Sequence, residues 1–284
     1  MQKNDLPIGV FDSGLGGLTA VREIKKILPR EHVLYFGDTG RLPYGTRSPE
    51  IIKKYACDDM NFLLTNSVKA VLVACGTVSS TALDVLKANF DIPVIGVVEP
   101  ASAAACALSR TGRIAVLATP STVRAGAFET AVHALRPEAK VLGIGCPMFV
   151  PLVENGYIAR DCAVTRQIAA EYIAGLTDFA PYVINLGCTH YPLIKDIVAD
   201  CAAELLGSPV VIVDSGSAAA DAMKTYLDSV GLARRSSPGT AHYFVSDQPY
   251  DFGAIASRFL GESVNDVTKI DIENYLYQPH PSHS

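Results

Sequence analysis

Short runs of β-branched and apolar residues recur along this 284-residue chain, each followed by a longer stretch whose apolar positions fall at helical spacing. A strand that is apolar at every position has no solvent face. It belongs in a sheet covered on both sides, and a helix between consecutive strands covers the sheet while returning the chain to a parallel neighbour. The pattern predicts an α/β protein: mostly parallel sheets flanked by helices. Strands are predicted at 8–11, 33–36, 70–74, 94–98, 113–118, 140–143, 182–186, 210–213 and 242–245. Helices are predicted at 18–28, 49–66, 80–89, 122–135, 163–175, 194–206, 218–230 and 252–260. The apolar fraction of 49% is enough for real cores, and the length corresponds to two compact units.

The series is stated twice. Ile8-Gly-Val-Phe-Asp-Ser-Gly corresponds to Ile114-Ala-Val-Leu-Ala-Thr-Pro, and Val71-Leu-Val-Ala-Cys-Gly-Thr to Val183-Ile-Asn-Leu-Gly-Cys-Thr. Pro93-Val-Ile-Gly-Val-Val-Glu corresponds to Pro209-Val-Val-Ile-Val-Asp-Ser, each followed by an alanine-rich helix. Such a repeat decides the fold. It draws two similar halves with boundaries near Glu99 and Asp214, and an active site is expected in the cleft between them. Residues 234–239 read as a loop and 278–284 as a frayed tail.

Charge and composition exclude several functions. The formal charge is -5 and no basic run occurs, so nucleic acid is not the expected partner. The first apolar stretch begins at Ile8 and is broken at Asp12, which is no signal-peptide core. No run approaches the roughly 18 apolar residues of a spanning helix. Seven cysteines, at 57, 75, 106, 146, 162, 188 and 201, form an odd set without a CxxC pair. That excludes a disulfide scaffold and a structural zinc site and predicts reduced thiols in a cytoplasmic protein.

In open α/β sheets, sites form at the carboxyl ends of strands. The turns expected there are Asp12-Ser13-Gly14, Gly37-Asp38-Thr39, Cys75-Gly76-Thr77, Thr119 to Thr122, Glu154 with Asn155, and Cys188-Thr189-His190. Cys75 and Cys188 occupy matching turns, each expected at a helix N-terminus, where free amides and partial positive charge favour thiolate. Two thiols facing a bound molecule from opposite sides suit stereoinversion: one removes a proton from carbon and the other supplies one to the opposite face. A single-nucleophile hydrolase would leave the second thiol unexplained. The other five cysteines read as small buried hydrophobes.

Asp12 either caps the Gly14 to Leu18 segment or assists Cys75 and anchors a substrate ammonium. His190 is either a turn histidine or a group that tunes Cys188, and Glu154 either a solvated helix end or a partner in the site. Pro43-Tyr44-Gly45 reads as a turn that could cover a pocket. Gly14-x-Gly16-Gly17 with Asp38 imitates a dinucleotide fingerprint, but the spacing is not GxGxxG and Asp12 puts negative charge where a pyrophosphate would approach. No Walker A sequence and no metal-ligand spacing is present.

The segments Gly9-Val-Phe-Asp-Ser-Gly-Leu-Gly-Gly-Leu-Thr, Tyr35-Phe-Gly-Asp-Thr-Gly-Arg-Leu-Pro-Tyr-Gly, Val73-Ala-Cys-Gly-Thr, Phe149-Val-Pro-Leu-Val-Glu and Leu186-Gly-Cys-Thr-His-Tyr-Pro-Leu resemble those of bacterial glutamate racemases. The likeness runs in order from Ile8 to Asp214 and more loosely beyond. It implies a cofactor-independent enzyme that interconverts L- and D-glutamate and supplies the D-isomer for peptidoglycan. It also implies a homodimer, and two α/β domains with 99–214 inserted between 1–98 and 215–284. Cys75 would act on D-glutamate with Asp12 assisting, and Cys188 on L-glutamate with Glu154 and His190 assisting. Substrate contacts would fall to Asp12, Ser13, Pro43, Tyr44, Gly76, Thr77, Thr119, Thr122 and Thr189. Where the family commonly has asparagine after the first cysteine, this chain has Gly76, and a water or neighbouring side chain is expected to replace the missing amide. A racemase for aspartate or another α-substituted acid, and a non-catalytic amino-acid-binding protein, are the competing readings.

Overall fold

Apolar runs with no solvent face became central strands. Every residue of β1 (Ile8–Asp12), β2 (Val33–Gly37), β3 (Ala70–Val73) and β7 (Val183–Leu186) is buried in the computed structural model, which describes residues 3–248, 252–264 and 266–278. The remaining strands are β4 (Val94–Gly96), β5 (Arg113–Ala118), β6 (Lys140–Gly145), β8 (Val211–Asp214), β9 (Ala241–Val245) and β10 (Val267–Lys269). Around them lie α1 (Leu18–Ile27), α2 (Pro49–Thr65), α3 (Gly76–Thr81), α4 (Leu83–Asn89), α5 (Val98–Leu108) and α6 (Pro120–Ala125). The later helices are α7 (Ala127–Leu135), α8 (Phe149–Glu154), α9 (Ala163–Ala174), α10 (Lys195–Leu206), α11 (Ser215–Ser229) and α12 (Phe252–Leu260).

The strands form two sheets, ordered β10, β9, β2, β1, β3, β4 and β6, β5, β7, β8, and every pairing is parallel. The α/β prediction holds. The duplicated sequence also reappears as duplicated topology: β2, β1, β3, β4 and β6, β5, β7, β8 follow the same order, with the matched segments at β1 and β5, β3 and β7, and β4 and β8. β9 and β10 extend the first sheet beyond β2. One apolar cluster is continuous from Ile8 and Val10 of β1 to Leu117 and Leu186 in the second sheet. A second cluster lies under α2 to α4, and a third under α5 and α7.

Local chemistry fixes several helix starts. Thr119 Oγ1 accepts the Thr122 amide at the head of α6, with Pro120 in the first turn. Asp214 Oδ1 accepts the Gly216 and Ser217 amides, at 2.8 and 3.2 Å, and so starts α11 three residues before the predicted 218. The predicted helix 122–135 is two helices, because Gly126 takes φ +67° and interrupts the ladder. The predicted 80–89 likewise divides at Ala82, into α3 and α4. The predicted strand 94–98 ends at Gly96, and its last residue opens α5, the alanine-rich helix expected after this segment. α8 and β10 are missing from the predicted set; β10 is three residues at an exposed edge, too short to show a period. Of the predicted tail, 279–284 lies outside the described residues.

Candidate active site

The two singled-out thiols close on one space. Cys75 follows β3 as the N-cap of α3, and its Sγ donates to Ser13 Oγ at 3.4 Å. Asp12, at the end of β1, is almost wholly buried; its Oδ2 accepts the Gly14 amide at 3.0 Å, while its Oδ1 meets no donor among the described residues. Burial raises the Asp12 carboxyl, opposed by the charge of His190 and by the Gly17, Gly14 and Ser13 amides. Burial, and next the negative charge of Asp12, push the Cys75 thiol up to about 12. The expectation that a helix N-terminus makes Cys75 a resting thiolate is therefore overturned: α3 has six residues, and desolvation outweighs its amides.

Cys188 is set differently. After β7 comes a 3-10 turn over Tyr191–Ile194, and α10 begins only at Lys195, so the predicted helix N-terminus does not lie at this thiol. A side-chain relay takes its place. Cys188 Sγ lies 3.9 Å from His190 Nδ1, and His190 Nε2 lies 3.0 Å from Glu154 Oε1. Burial opposes protonation of His190, but hydrogen bonds to Cys188 and Glu154 and their negative charge prevail and hold the ring at about 10. A protonated ring stabilises negative charge on the sulfur beside it. Glu154 ends a helix, as one of its two readings expected, and not a strand as its place among the strand-end turns implied.

The relay is braced from α12. Phe259 meets His190 edge-on, ring centres 5.0 Å apart, and Arg258 Nη1 donates to the Glu154 and Val153 carbonyls at 2.8 and 3.3 Å. These carbonyls lie at the C-terminal end of α8, where a cation is favoured. Nothing in the sequence marked Arg258 or Phe259, because their partners are about seventy to a hundred residues away.

A cavity of about 740 Å³ joins the two thiols, a volume in the range of small-molecule sites. Of the predicted residues, Ser13, Pro43, Tyr44, Cys75, Gly76, Thr77, Thr119, Glu154, Cys188, Thr189 and His190 line it. Asp12 and Thr122 do not; they stand behind the wall, each 1% exposed. Thr122 acts through neighbours: its Oγ1 is 2.9 Å from Thr119 Oγ1 and 3.4 Å from Thr77 Oγ1. Thr77 also reaches Thr119 at 3.2 Å, so hydroxyls from α3 and α6 meet across the cleft. Arg124 lines the mouth and was not anticipated from sequence.

Gly76 is a close approach of backbone to backbone. A Cβ there would stand 2.2 Å from the Gly187 carbonyl oxygen and 3.9 Å from Cys188 Cα. The expectation that a water or side chain fills this space is corrected: the Gly187 peptide occupies it. Asp38, the acid of the dinucleotide-like pattern, is wholly buried and accepts Arg41 Nε and Ser246 Oγ at 2.6 and 2.7 Å. It presents nothing to a ribose. The other five cysteines do not line the cavity. Among the described residues, no group of three or more His, Cys, Asp or Glu side chains is arranged to hold a metal, and no helix is long and apolar enough to cross a membrane.

Comparison with known proteins identifies the family. Residues 8–223 match the family described as Asp/Glu/Hydantoin racemase. A glutamate racemase of Geobacter metallireducens is 42% identical over 94% of this chain and 97% of that protein, and one of Chlorobaculum parvum 40% over 92% and 94%. Among solved structures, the glutamate racemase of Francisella tularensis in complex with D-glutamate superimposes with a TM-score of 0.87 at 32% identity, covering 96% of this chain and all of that one. A glutamate racemase isoform of Bacillus anthracis gives 0.88 at 34% identity, covering 94% and 98%. A family match over most of the chain, with two cysteine-bearing turns facing one cavity, makes this chain a member of the Asp/Glu/hydantoin racemase family and hence an isomerase.

Proposed function

We propose that this racemase acts on glutamate, interconverting its L- and D-forms without a cofactor by 1,1-proton transfer between Cys75 and Cys188. The observation that carries the reading is that sulfurs from equivalent strand ends of the two halves open into one cavity. The unequal surroundings of the thiols support unequal roles for them. Cys75, buried beside Asp12, is a thiol and therefore the acid; Cys188, beside a protonated His190, is the base. The free protein is thus poised for L-glutamate. Cys188 takes the α-proton, the electron pair it leaves is held on the α-carbon and its carboxylate, and Cys75 gives its proton to the opposite face. The product is D-glutamate with the two sulfurs exchanged in protonation, and the reverse reaction runs from that state.

In this reading Asp12 assists Cys75 from behind the wall, while Glu154 and His190 assist Cys188. Ser13, Thr77, Thr119 and Thr189, backed by Thr122, offer hydroxyls to the carboxylates. The Gly76 turn offers backbone, and Pro43 and Tyr44 form a wall. The two sheets with their helices act as two domains, 1–98 with 215–284 and 99–214. The protein works in the cytoplasm as a homodimer, supplying D-glutamate for peptidoglycan.

Incubating D-glutamate with the protein in deuterated water tests this. The optical rotation is expected to decay to zero with deuterium entering at the α-carbon. Tight binding without exchange would reveal an amino-acid-binding protein instead, and faster turnover of aspartate would move the substrate to the shorter acid.

A further inference from the structure

Behind the cavity wall, three carboxyl groups surround one guanidinium almost out of reach of solvent. The side chains of Asp38, Asp58 and Asp59 are 0–1% exposed and that of Arg41 is 11% exposed. Each nitrogen of Arg41 takes a different acid: Nε donates to Asp38 Oδ2 at 2.6 Å, Nη1 to Asp58 Oδ2 at 2.8 Å and Nη2 to Asp59 Oδ1 at 2.8 Å. The remaining oxygens locate a proton. Asp38 Oδ1 receives Ser246 Oγ at 2.7 Å, and Asp58 Oδ1 receives the Tyr277 amide at 2.8 Å. Among the described residues the one partner of Asp59 Oδ2 is Tyr44 Oη, at 3.1 Å.

Tyr44 has a single hydroxyl proton, and its closer contact is with Asp38 Oδ2, an acceptor committed to Arg41. With that proton directed to Asp38, two bare oxygens would face each other between Tyr44 and Asp59 unless Asp59 carries one. Charge leads to the same place: three buried anions against one cation is unfavourable, and neutralising one acid relieves it. We propose that Asp59 is protonated at Oδ2 and donates to Tyr44 Oη, making Asp59 the positioning residue for the Tyr44 wall of the substrate cavity. The function of that wall rests on the reading of the chain as a glutamate racemase.

The surroundings agree. Burial first, and then the charge of Asp38, hold the Asp59 carboxyl well above the usual range, and burial keeps the Tyr44 hydroxyl protonated. The groups facing this proton are Arg41, Asp38 and Tyr44 from segment 38–46, Tyr55, Cys57 and Asp58 from α2, Ser246 after β9, and Tyr277. Arg41 lies 4.1 Å over the Tyr55 ring, which packs on that of Tyr44. The clamp thus ties α2, the β9 end and the C-terminal segment to one side chain of the cavity. When Asp59 ionises, two carboxylates face one hydroxyl and the wall loosens. Substrate binding then weakens while proton transfer persists.

The test has two arms. In the infrared difference spectrum between unliganded wild type and Asp59→Asn, a carboxylic-acid C=O band is expected in wild type that is missing from the variant, and it should disappear as the wild type is titrated to high pH. In kinetics, Asp59→Asn keeps the donor to Tyr44 and the acceptor for Arg41, so KM is expected within about twofold of wild type and without an alkaline rise. Asp59→Ala loses the bond and should raise KM about tenfold with kcat within about threefold. Absence of the band, or a KM in D59N as high as in D59A, overturns the proposal. The infrared arm needs no turnover: a band with no racemisation would sink the functional reading alone, and racemisation without the band would sink this assignment alone.

Discussion

Replacing Gly76 with alanine puts a methyl carbon 2.2 Å from the Gly187 oxygen. Ordinary contact begins near 3.4 Å, so the two cysteine-bearing turns must separate by about 1 Å. Neither atom can yield cheaply, since the obstacle is a peptide carbonyl and not the end of a flexible side chain. Where two groups must both reach one carbon, a displacement of about 1 Å costs on the order of 10²-fold in rate. Overpacking would remove about 1–3 kcal/mol of stability as well, which a thermal melt detects separately. Racemisation of glutamate, followed by circular dichroism in both directions, is expected to show kcat/KM down about 10²-fold. The fall must be equal from either enantiomer, because their free energies are equal. Gly76→Asn adds the same Cβ and should lose as much. If either variant retains kcat/KM within a few-fold of wild type while melting normally, the close approach of the turns is not required by the chemistry and the reasoning fails.

Other expectations follow from the same geometry. Cys75→Ser and Cys188→Ser replace soft, titratable groups with a poor acid and base, and each should cut turnover about 10³-fold while a titration of glutamate binding still shows saturation; wild-type rates in both would remove the thiols from the mechanism. His190 is held at about 10 against an ordinary 6.5, so its contribution to stability is complete below pH 6.5 and is lost as pH rises through about 10. In melts between pH 6.5 and 9, below the range where Cys75 adds its own slope, His190→Gln should flatten the decline seen in wild type; an unchanged slope would mean the ring is neutral. Arg258→Ala removes the side-chain donor to the Glu154 and Val153 carbonyls, Val153 keeping the Gly156 amide, which should cost about 1–2 kcal/mol in denaturant unfolding and slow turnover through the relay; unchanged kinetics would show that α8 holds Glu154 unaided.

The strands were legible because Val71 to Ala74 or Val183 to Leu186 can only be interior: an apolar run this short, flanked by turn residues, has one environment that suits it. The cysteine turns were legible because the repeat put Cys75 and Cys188 in register. Boundaries inside helical stretches were not. Gly126 reads as a tolerated helical glycine until its backbone angle is seen, and Val98 reads equally as the end of β4 or the start of α5. The site's supporting residues escaped for a different reason. Arg41, Asp58 and Asp59 look like ordinary surface charges, and Arg258 like a helix end, since their roles exist only through partners far away in the chain. Local pattern even misled at Cys75, where position alone argued for thiolate and burial beside Asp12 reversed it.

β9 pairs with β2 across some two hundred residues, Val33 lying beside Ala241, whereas β5 to β8 follow one another without interruption. Contacts so distant in sequence form late, and during synthesis the contiguous sheet can be complete while the first still lacks its outer strands. The contributions of Ser246, Arg258 and Tyr277 all come from the final forty residues. A nascent chain can thus possess both sulfurs and their strands well before it possesses the braces around them.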